Sequence, residues 1–291
     1  MARRSVRSWS VQVVVAALAL GVVLTAPLAG GDRTPAGAVT ISGARSLSDQ
    51  VVVSYRESDK TRTTDVHLLA FNDLHGNLEA AGLNIYGQFA GGAAYLAKAV
   101  KDRQAIYGDH QATLLAGDNI GASPLANGLF FEEPITIASN LMNVDFGSVG
   151  NHEFDKGSAE LLRIQNGGCH ADGCTAAPYA LPDGGTTNVY PGADFQYLSA
   201  NVVVDATGRT LLPAYGTKRF KSDSGKKFTV GFIGEVLEAT PTIVTPTGVA
   251  GLTLAREQVQ RLAAERAACR VRLVMDHASV WPPPRSPRST P

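Results

Sequence analysis

Three short polar clusters contain the residues best suited to bind a metal ion. The first holds Asp73 and His75, the second Asp118, and the third Asn151 and His152. Together they offer carboxylate and amide oxygens and imidazole nitrogens, a donor set that suits Mn, Fe, Zn or Co and is too rich in nitrogen for a calcium cage. Asp73 and His75 lie two residues apart, so on an extended segment their side chains point the same way. The pattern predicts a metal site of the transition-metal or zinc type.

Each cluster directly follows an apolar segment that has the character of a buried strand. These segments are 66–71, 112–116 and 146–149, and each is apolar on both faces, as a buried strand requires. The carboxyl ends of strands in α/β sheets meet at one crevice, so the three clusters are expected to converge. Taken singly, each has a plainer interpretation: Asp-x-His and Gly-Asp are common turns, and Asn151 could cap a helix. Their occurrence together, each after a strand, favours the metal site.

The remaining apolar patterns complete an alternating series. Such alternation of strands and helices predicts a layered α/β domain, which we place at residues 65–280. Helical spacing covers 92–107, 134–142, 159–165 and 254–268, and further strands are predicted at 197–204, 227–233 and 271–275.

Composition excludes several classes of protein. The 26 basic and 26 acidic side chains cancel, which removes the usual electrostatic basis for binding nucleic acid or an anionic membrane. A hydrophobic content of 44% excludes wholesale disorder, and three cysteines are too few for a disulfide scaffold. The sequence also lacks the Gly-x-x-x-x-Gly-Lys loop of kinases and helicases. We therefore expect a small-molecule partner and no nucleic acid.

The chain ends are predicted to lie outside the fold. Residues 1–38 have a basic start, a long apolar run and small residues after it, which is the order of an export signal. An uncleaved membrane anchor is the alternative, and the export route is open. We interpret 39–64 as a linker or an edge segment, and 281–291 as a disordered tail rich in Pro and Arg. The expected location is secreted or cell-envelope, with no stable membrane span after cleavage.

Two of the cysteines are close in sequence. Cys169 and Cys174 bracket a five-residue step in a polar loop of a chain predicted to be exported, which favours a local disulfide. The neighbouring His170 leaves a metal knuckle as the alternative.

The succession of Asp-x-His, Gly-Asp and Gly-Asn-His-Glu resembles the calcineurin-like metallophosphoesterases. Stretches 71–76 and 150–155 are more narrowly similar to the secreted 5'-nucleotidase family, which includes bacterial UDP-sugar hydrolases and 2',3'-cyclic-nucleotide phosphodiesterases. The likeness covers about 65–280. It implies a four-layer α/β/β/α sandwich with two stacked sheets, and two divalent metal ions at the carboxyl ends of the strands.

The resemblance also implies metal ligands, residue by residue. Asp73 and His75 would bind the first metal, Asp118 would bridge both metals, and Asn151 would bind the second. His277, which follows the strand predicted at 271–275, is a candidate second-metal ligand.

Catalytic roles follow from the same resemblance. His152 would contact the phosphoryl oxygens and stabilise the charge that develops on them, and Asp155 would orient its imidazole. The implied activity is hydrolysis of extracytoplasmic nucleotides or related phosphate esters by a two-metal enzyme.

The sequence departs from the family pattern near its end. No Gly-His-x-His segment occurs, and the family's base-stacking C-terminal domain is absent from this sequence. We therefore expect a truncated catalytic domain, incomplete at its C-terminus and with one sheet edge exposed. The alternative function is a catalytically dead or weakened fragment that binds at most one metal; the oligomeric state is left open.

Overall fold

The structure of the protein is a computed structural model. It describes residues 12–16, 39–42, 51–56, 63–80, 83–85, 88–175, 178–180, 184–255, 257 and 271–277.

The first sheet positions the three polar clusters. It has six strands in the order β11-β8-β7-β4-β3-β2, of which β11, β8, β7 and β4 are parallel, while β3 and β2 continue the sheet antiparallel. The strands predicted at 66–71, 112–116 and 146–149 are its adjacent members β4, β7 and β8, so their carboxyl ends lie at one edge as expected. The bounds are β2 Val39–Ser42, β3 Val51–Arg56, β4 Thr63–Phe71, β7 Gln111–Ala116, β8 Phe146–Ser148 and β11 Gln196–Leu198.

A second sheet has the strand order β1-β17-β15-β14. Its strands β1, β17 and β15 are parallel, and β14 pairs antiparallel with β15. The strand β1, which lies within the predicted export signal, occupies the outer edge of β17. The bounds are β1 Gln12–Ala16, β14 Tyr215–Lys221, β15 Lys227–Val236 and β17 Val271–His277.

Two apolar cores hold these layers together. One lies between the first sheet and its helices, and contains Val100, Leu115, Ile135 and Leu161. The helices are α1 Ala93–Tyr107, α2 Leu125–Gly128, α3 Glu133–Leu141 and α4 Ser158–Asn166. Burying each large aliphatic side chain there contributes about 1.5–3 kcal/mol.

The other core lies between the two sheets. Val66, Leu114 and Leu198 of the first sheet pack there with Phe232 and Met275 of the second. Helices, first sheet and second sheet thus form three successive layers of the expected sandwich. Most of the helix predicted at 254–268 lies outside the described residues.

Two sequence predictions differ from the structure. The single strand predicted at 197–204 is two strands, because the backbone N–H groups of Ser199 and Ala200 turn away to the carbonyls of Pro213 and Gly234, at 2.9 and 2.8 Å. Strand β12 (Val202–Val204) then joins a separate sheet with β13 (Arg209–Thr210) and β16 (Leu252–Leu254). The start of the helix predicted at 254–268 falls on the last residue of β16.

Smaller elements complete the described part of the chain. Within it, no helix is long and apolar enough to cross a membrane. Two short antiparallel pairs join β5 (Leu83–Ile85) to β6 (Gln88–Ala90) and β9 (Tyr179–Ala180) to β10 (Thr186–Thr187), and 3₁₀ turns occur at Gly108–His110, His152–Phe154, Thr240–Thr242 and Pro246–Val249.

Candidate metal centre

The loops that follow β4 and β7 have a strained backbone at three of the predicted metal ligands. Asp73, His75 and Asp118 have φ angles of 54°, 45° and 52°, in the left-handed region that non-glycine residues rarely adopt. Each such residue costs on the order of 1–3 kcal/mol, and such residues cluster at functional sites. Hydrogen bonds between the two loops fix the conformation, because the N–H groups of Asp73 and His75 donate to the carbonyls of Gly117 and Asp118, at 3.1 and 3.0 Å.

The hydrogen bond of His75 leaves one of its ring nitrogens free to bind a metal. Nδ1 lies 3.0 Å from the carbonyl oxygen of Gly121. A carbonyl can only accept, so Nδ1 carries the proton and Nε2 of the neutral ring has a lone pair. That Nε2 lies 3.5 Å from Oδ1 of Asp73 and 3.8 Å from Oδ2 of Asp118. These separations suit donors that share one cation with bonds of about 2.0–2.2 Å.

His152 reaches the same place from the loop after β8. Its backbone N–H donates to Oδ1 of Asp118 at 2.9 Å, and the centre of its ring lies 4.8 Å from that of His75. Its Nδ1 donates to Oδ2 of Asp155 at 2.7 Å. Burial opposes protonation of His152, but this hydrogen bond and the nearby carboxylates, chiefly Asp155, raise the pKa of the ring above its usual value.

The three loops therefore form one donor cluster. His75, Asp118 and His152 each offer a ligand atom, and these atoms all lie within 4.8 Å of one another. Asp118 is buried, whereas both imidazoles are partly exposed, so the cluster can be reached from solvent. An imidazole nitrogen from His75 and the nearby carboxylates of Asp73 and Asp118 are donors that Zn, Mn, Fe or Co accepts, and the His152 ring lies beside them. The residues present fit a divalent metal ion.

Glu153 supports this cluster, a role that sequence reasoning did not assign to it. Its buried carboxylate accepts the backbone N–H groups of Asp118 (2.9 Å), Asn119 (2.8 Å) and Gly150 (2.5 Å), and so ties the loop after β7 to the loop after β8. Burial, together with the Asp118 charge, raises the pKa of Glu153 to about 7, although these N–H groups oppose the rise. In the sequence, its only signal is its place as the last residue of the Gly-Asn-His-Glu motif.

Asn151 and His277 are the two remaining predicted ligands, and the backbone contacts around each show where it lies. Asn151 lies between Gly150, which donates to Glu153, and His152, which donates to Asp118. A side chain at position 150 would clash, since a Cβ there would lie 2.2 Å from Oδ1 of Asp118.

His277 ends β17, opposite Val236 of β15. Hydrogen bonds between Ser148 and the Glu235 backbone, at 2.9 and 3.1 Å, place the carboxyl ends of β8 and β15 together. His277 is thus at the expected edge of the fold, but its side chain lies outside the described part.

The structure pairs Cys169 with Cys174 in a disulfide, with Cα atoms 4.5 Å apart. Between them, His170 stacks on Phe131 at a centroid distance of 4.1 Å and accepts the backbone N–H of Asp172 at 3.1 Å. The sulfurs bond to each other, so the metal-knuckle alternative does not apply.

Comparison with curated proteins finds three relatives. The chain is 41% identical over 167 residues to an uncharacterized protein encoded in the pqq-V 5' region of Acinetobacter calcoaceticus, covering 53% of this chain and 78% of that protein. It is 31% identical to the endonuclease YhcR of Bacillus subtilis and 35% identical to the cell wall protein Lmo0130 of Listeria monocytogenes. These two alignments cover 69% and 62% of this chain, but only 16% of YhcR and 23% of Lmo0130. No family model matches the chain.

Solved structures identify the fold. A 5'-nucleotidase precursor from Thermus thermophilus aligns with a TM-score of 0.53 and 22% identity over 73% of this chain and 37% of that one. The calcineurin-like phosphoesterase YfkN from Bacillus subtilis aligns with a TM-score of 0.53 and 21% identity, over 75% and 63% of the two chains. The chain thus spans less than two thirds of these structures. By sequence the chain belongs to one family with the Acinetobacter protein, and it shares its fold with the 5'-nucleotidase precursor and the calcineurin-like phosphoesterase YfkN.

Proposed function

We propose that the protein is a two-metal phosphoester hydrolase of the 5'-nucleotidase type. The observation that supports this most is the convergence of His75, Asp118 and His152, with ligand atoms within 4.8 Å, at the strand edge of a metallophosphoesterase fold. The proposed substrates are nucleotides or related small phosphate esters outside the cytoplasm. A polyanionic nucleic acid is disfavoured because the chain has no net positive charge.

The proposed metal ligands divide into two sets that share Asp118. Asp73 and His75 complete the first set, and Asn151 and His277 complete the second. Divalent ions of Mn, Zn, Fe or Co bound there would polarise the phosphoryl oxygens and activate water for attack at neutral pH. The position of His277 at the same edge as β8 and β15 is what supports its place in the second set.

His152 is proposed to act on the phosphoryl group. Its Nδ1 proton is held by Asp155 at 2.7 Å, which orients the ring and favours the protonated form. The imidazolium would donate to a phosphoryl oxygen as negative charge develops there. Overall, an oxygen–phosphorus bond forms with water, the bond to the leaving alcohol breaks, and one proton of the water ends on that alcohol.

Hydrolysis of two test substrates by the purified chain would test this proposal. The chain is stripped of metal, resupplied with Mn, Zn, Fe or Co, and assayed with AMP as a monoester and bis(p-nitrophenyl) phosphate as a diester. We expect metal-dependent turnover of at least one substrate, lost in Asp118→Asn and kept in Asp145→Asn, a matched change at the opposite end of the sheet.

Two results would overturn the proposal. Turnover that survives Asp118→Asn would place the chemistry elsewhere. Binding of a single metal without turnover would favour the alternative, a weakened fragment of such an enzyme.

Export to the cell envelope is also proposed. The apolar leader in 1–38, the Cys169–Cys174 disulfide and the similarity to a cell wall protein support it. N-terminal sequencing of the chain recovered from culture medium and cell-wall fractions should give a start after the leader. Recovery of the intact leader in the cytosolic fraction would contradict export.

A further inference from the structure

Glu132 is a buried carboxylate beside the metal centre that has no role in the proposed chemistry. Its residue is 4% exposed, and its φ of 65° lies in the left-handed region, as does the φ of 56° at Phe131. It stands just before α3, yet its side chain makes no capping hydrogen bond to that helix. Burying an acidic group in a strained backbone without capping the helix calls for another explanation.

The carboxylate of Glu132 binds the segment that follows Asp118. Its Oε2 accepts hydrogen bonds from the Ser123 hydroxyl and from Nδ2 of Asn127, the latter at 2.5 Å, and lies 3.4 Å from the backbone nitrogen of Gly121. The Asn127 amide is fixed in this orientation because its Oδ1 accepts the backbone N–H of Ile135 at 3.0 Å. Glu132 therefore holds both ends of segment 121–127.

The same carboxylate also reaches the loop that carries His152. Its Oε1 lies 3.8 Å from Nζ of Lys156, the residue that follows Asp155. Lys156 is thus one residue from Asp155, the partner of the His152 ring, whereas Gly121 is itself the partner of the His75 ring.

Gly121 links the contacts of Glu132 to the two imidazoles of the metal centre. Its carbonyl accepts the Nδ1 proton of His75, which leaves Nε2 of that ring free for a metal. A Cβ at position 121 would lie 2.7 Å from both the His152 Cβ and Oδ2 of Asp155. Gly121 therefore packs against the base of the His152 side chain and its partner Asp155 while its carbonyl orients the His75 ring.

We infer that Glu132 is a positioning residue: through Gly121 it sets the orientation of His75 for metal binding, and through Gly121 and Lys156 it also supports the loop that holds His152. The inference rests on the proposed metal site but not on turnover. Removing a residue that orients a metal ligand typically lowers metal affinity by about 10- to 100-fold. We expect an effect of that size from Glu132→Gln, which keeps the shape but loses the charge and one acceptor.

The test is Mn²⁺ and Zn²⁺ affinity by titration calorimetry on the full chain. The variants are Glu132→Gln, Glu132→Asp, and the control Asp145→Asn, whose carboxylate pairs with Lys218 at the opposite end of the sheet. We expect both Glu132 variants to lose about 10-fold or more in affinity and the control to match the original chain. Glu132→Asp keeps the charge and serves as the second variant if Glu132→Gln does not fold. Circular dichroism shows whether each variant is folded.

A second readout reports on the ring directly. In the metal-free protein, the ¹⁵N chemical shifts of His75 should report a proton on Nδ1, and this tautomer should become mixed in Glu132→Gln. Unchanged affinity and an unchanged tautomer in a folded variant would overturn the inference. Failure of the original chain to bind any metal would instead contradict the proposed function, so the two failures are distinguishable.

Discussion

The two ends of β7 and β8 are built in opposite ways. At the amino end, Asp145 pairs with Lys218 through both carboxylate oxygens, at 2.7 and 2.6 Å, and accepts the backbone N–H of Thr113 at 2.9 Å. At the carboxyl end, the Asp118 and Glu153 carboxylates lie together in a buried loop pair. The first end pairs the Asp145 carboxylate with an ammonium, whereas the second buries two carboxylates beside each other.

Left-handed backbone is more frequent at the carboxyl end, although Asn143, in the loop before β8, also has a φ of 53°. The carboxyl end contains left-handed Asp73, His75 and Asp118, each of which costs stability. At the amino end, the ring of His67 stacks on Tyr107 at 3.7 Å, an ordinary packing contact. We infer that the amino end stabilises the sheet, and that the carboxyl end gives up stability to aim donors at a ligand.

The largest effect should come from Asp118, where the strained loop meets both imidazoles. Asp118→Asn removes the shared anionic donor, so we expect hydrolysis to fall by about 10³-fold or more, equivalent to several kcal/mol of transition-state stabilisation. Unfolding by denaturant should show a chain at least as stable, because a like charge beside Glu153 is gone. Loss of stability with full activity would reverse the assignment of the two ends.

Replacing His152 separates catalysis from metal binding within the carboxyl end. For His152→Gln we expect kcat to fall by about 10²- to 10⁴-fold, the range for loss of a positioned proton donor. Bound metal, measured by elemental analysis, should be unchanged, and His170→Gln in the disulfide loop should keep full activity. A matching loss of metal would show that His152 is itself a ligand.

Asp145→Asn should have the converse effect at the amino end. It leaves the Lys218 ammonium without its anion and weakens the bond from Thr113, so we expect a loss of about 1–2 kcal/mol in the free energy of unfolding. Metal affinity and kcat should match the original chain. A drop in metal affinity would mean that the two ends are coupled.

The smallest effect concerns pH. Burial lowers the pKa of His67 below its ordinary value of 6.5, with a further contribution from His110, although the Asp65 charge opposes the shift. The unfolded chain therefore takes up a proton near pH 6.5 while the folded chain does not, so stability is full above this pH and declines as the pH falls through it. His67→Phe keeps the stacked ring and should flatten this part of a stability–pH profile. An unchanged profile would assign the decline to other groups.

Local patterns predicted the strands that bring the candidate ligands together, but little of what supports those ligands. The strands before Asp73, Asp118 and Asn151 could be read from apolar runs, and their shared edge follows from parallel pairing. The roles of Glu153 and Glu132 could not be predicted from the sequence. Each carboxylate accepts hydrogen bonds from groups that only the tertiary structure brings near it. The break at Ser199 was missed for the same reason, since its partners Pro213 and Gly234 come from later parts of the chain.

Anomalous diffraction from crystals of the metal-stripped chain soaked in Mn²⁺ would test the central claim most directly. We expect a peak about 2.0–2.3 Å from Nε2 of His75 and from a carboxylate oxygen of Asp118. A second peak on the Asn151 side of Asp118 would complete the proposed two-metal site. Ordered density for these residues with no anomalous peak between His75 and Asp118 would contradict the account.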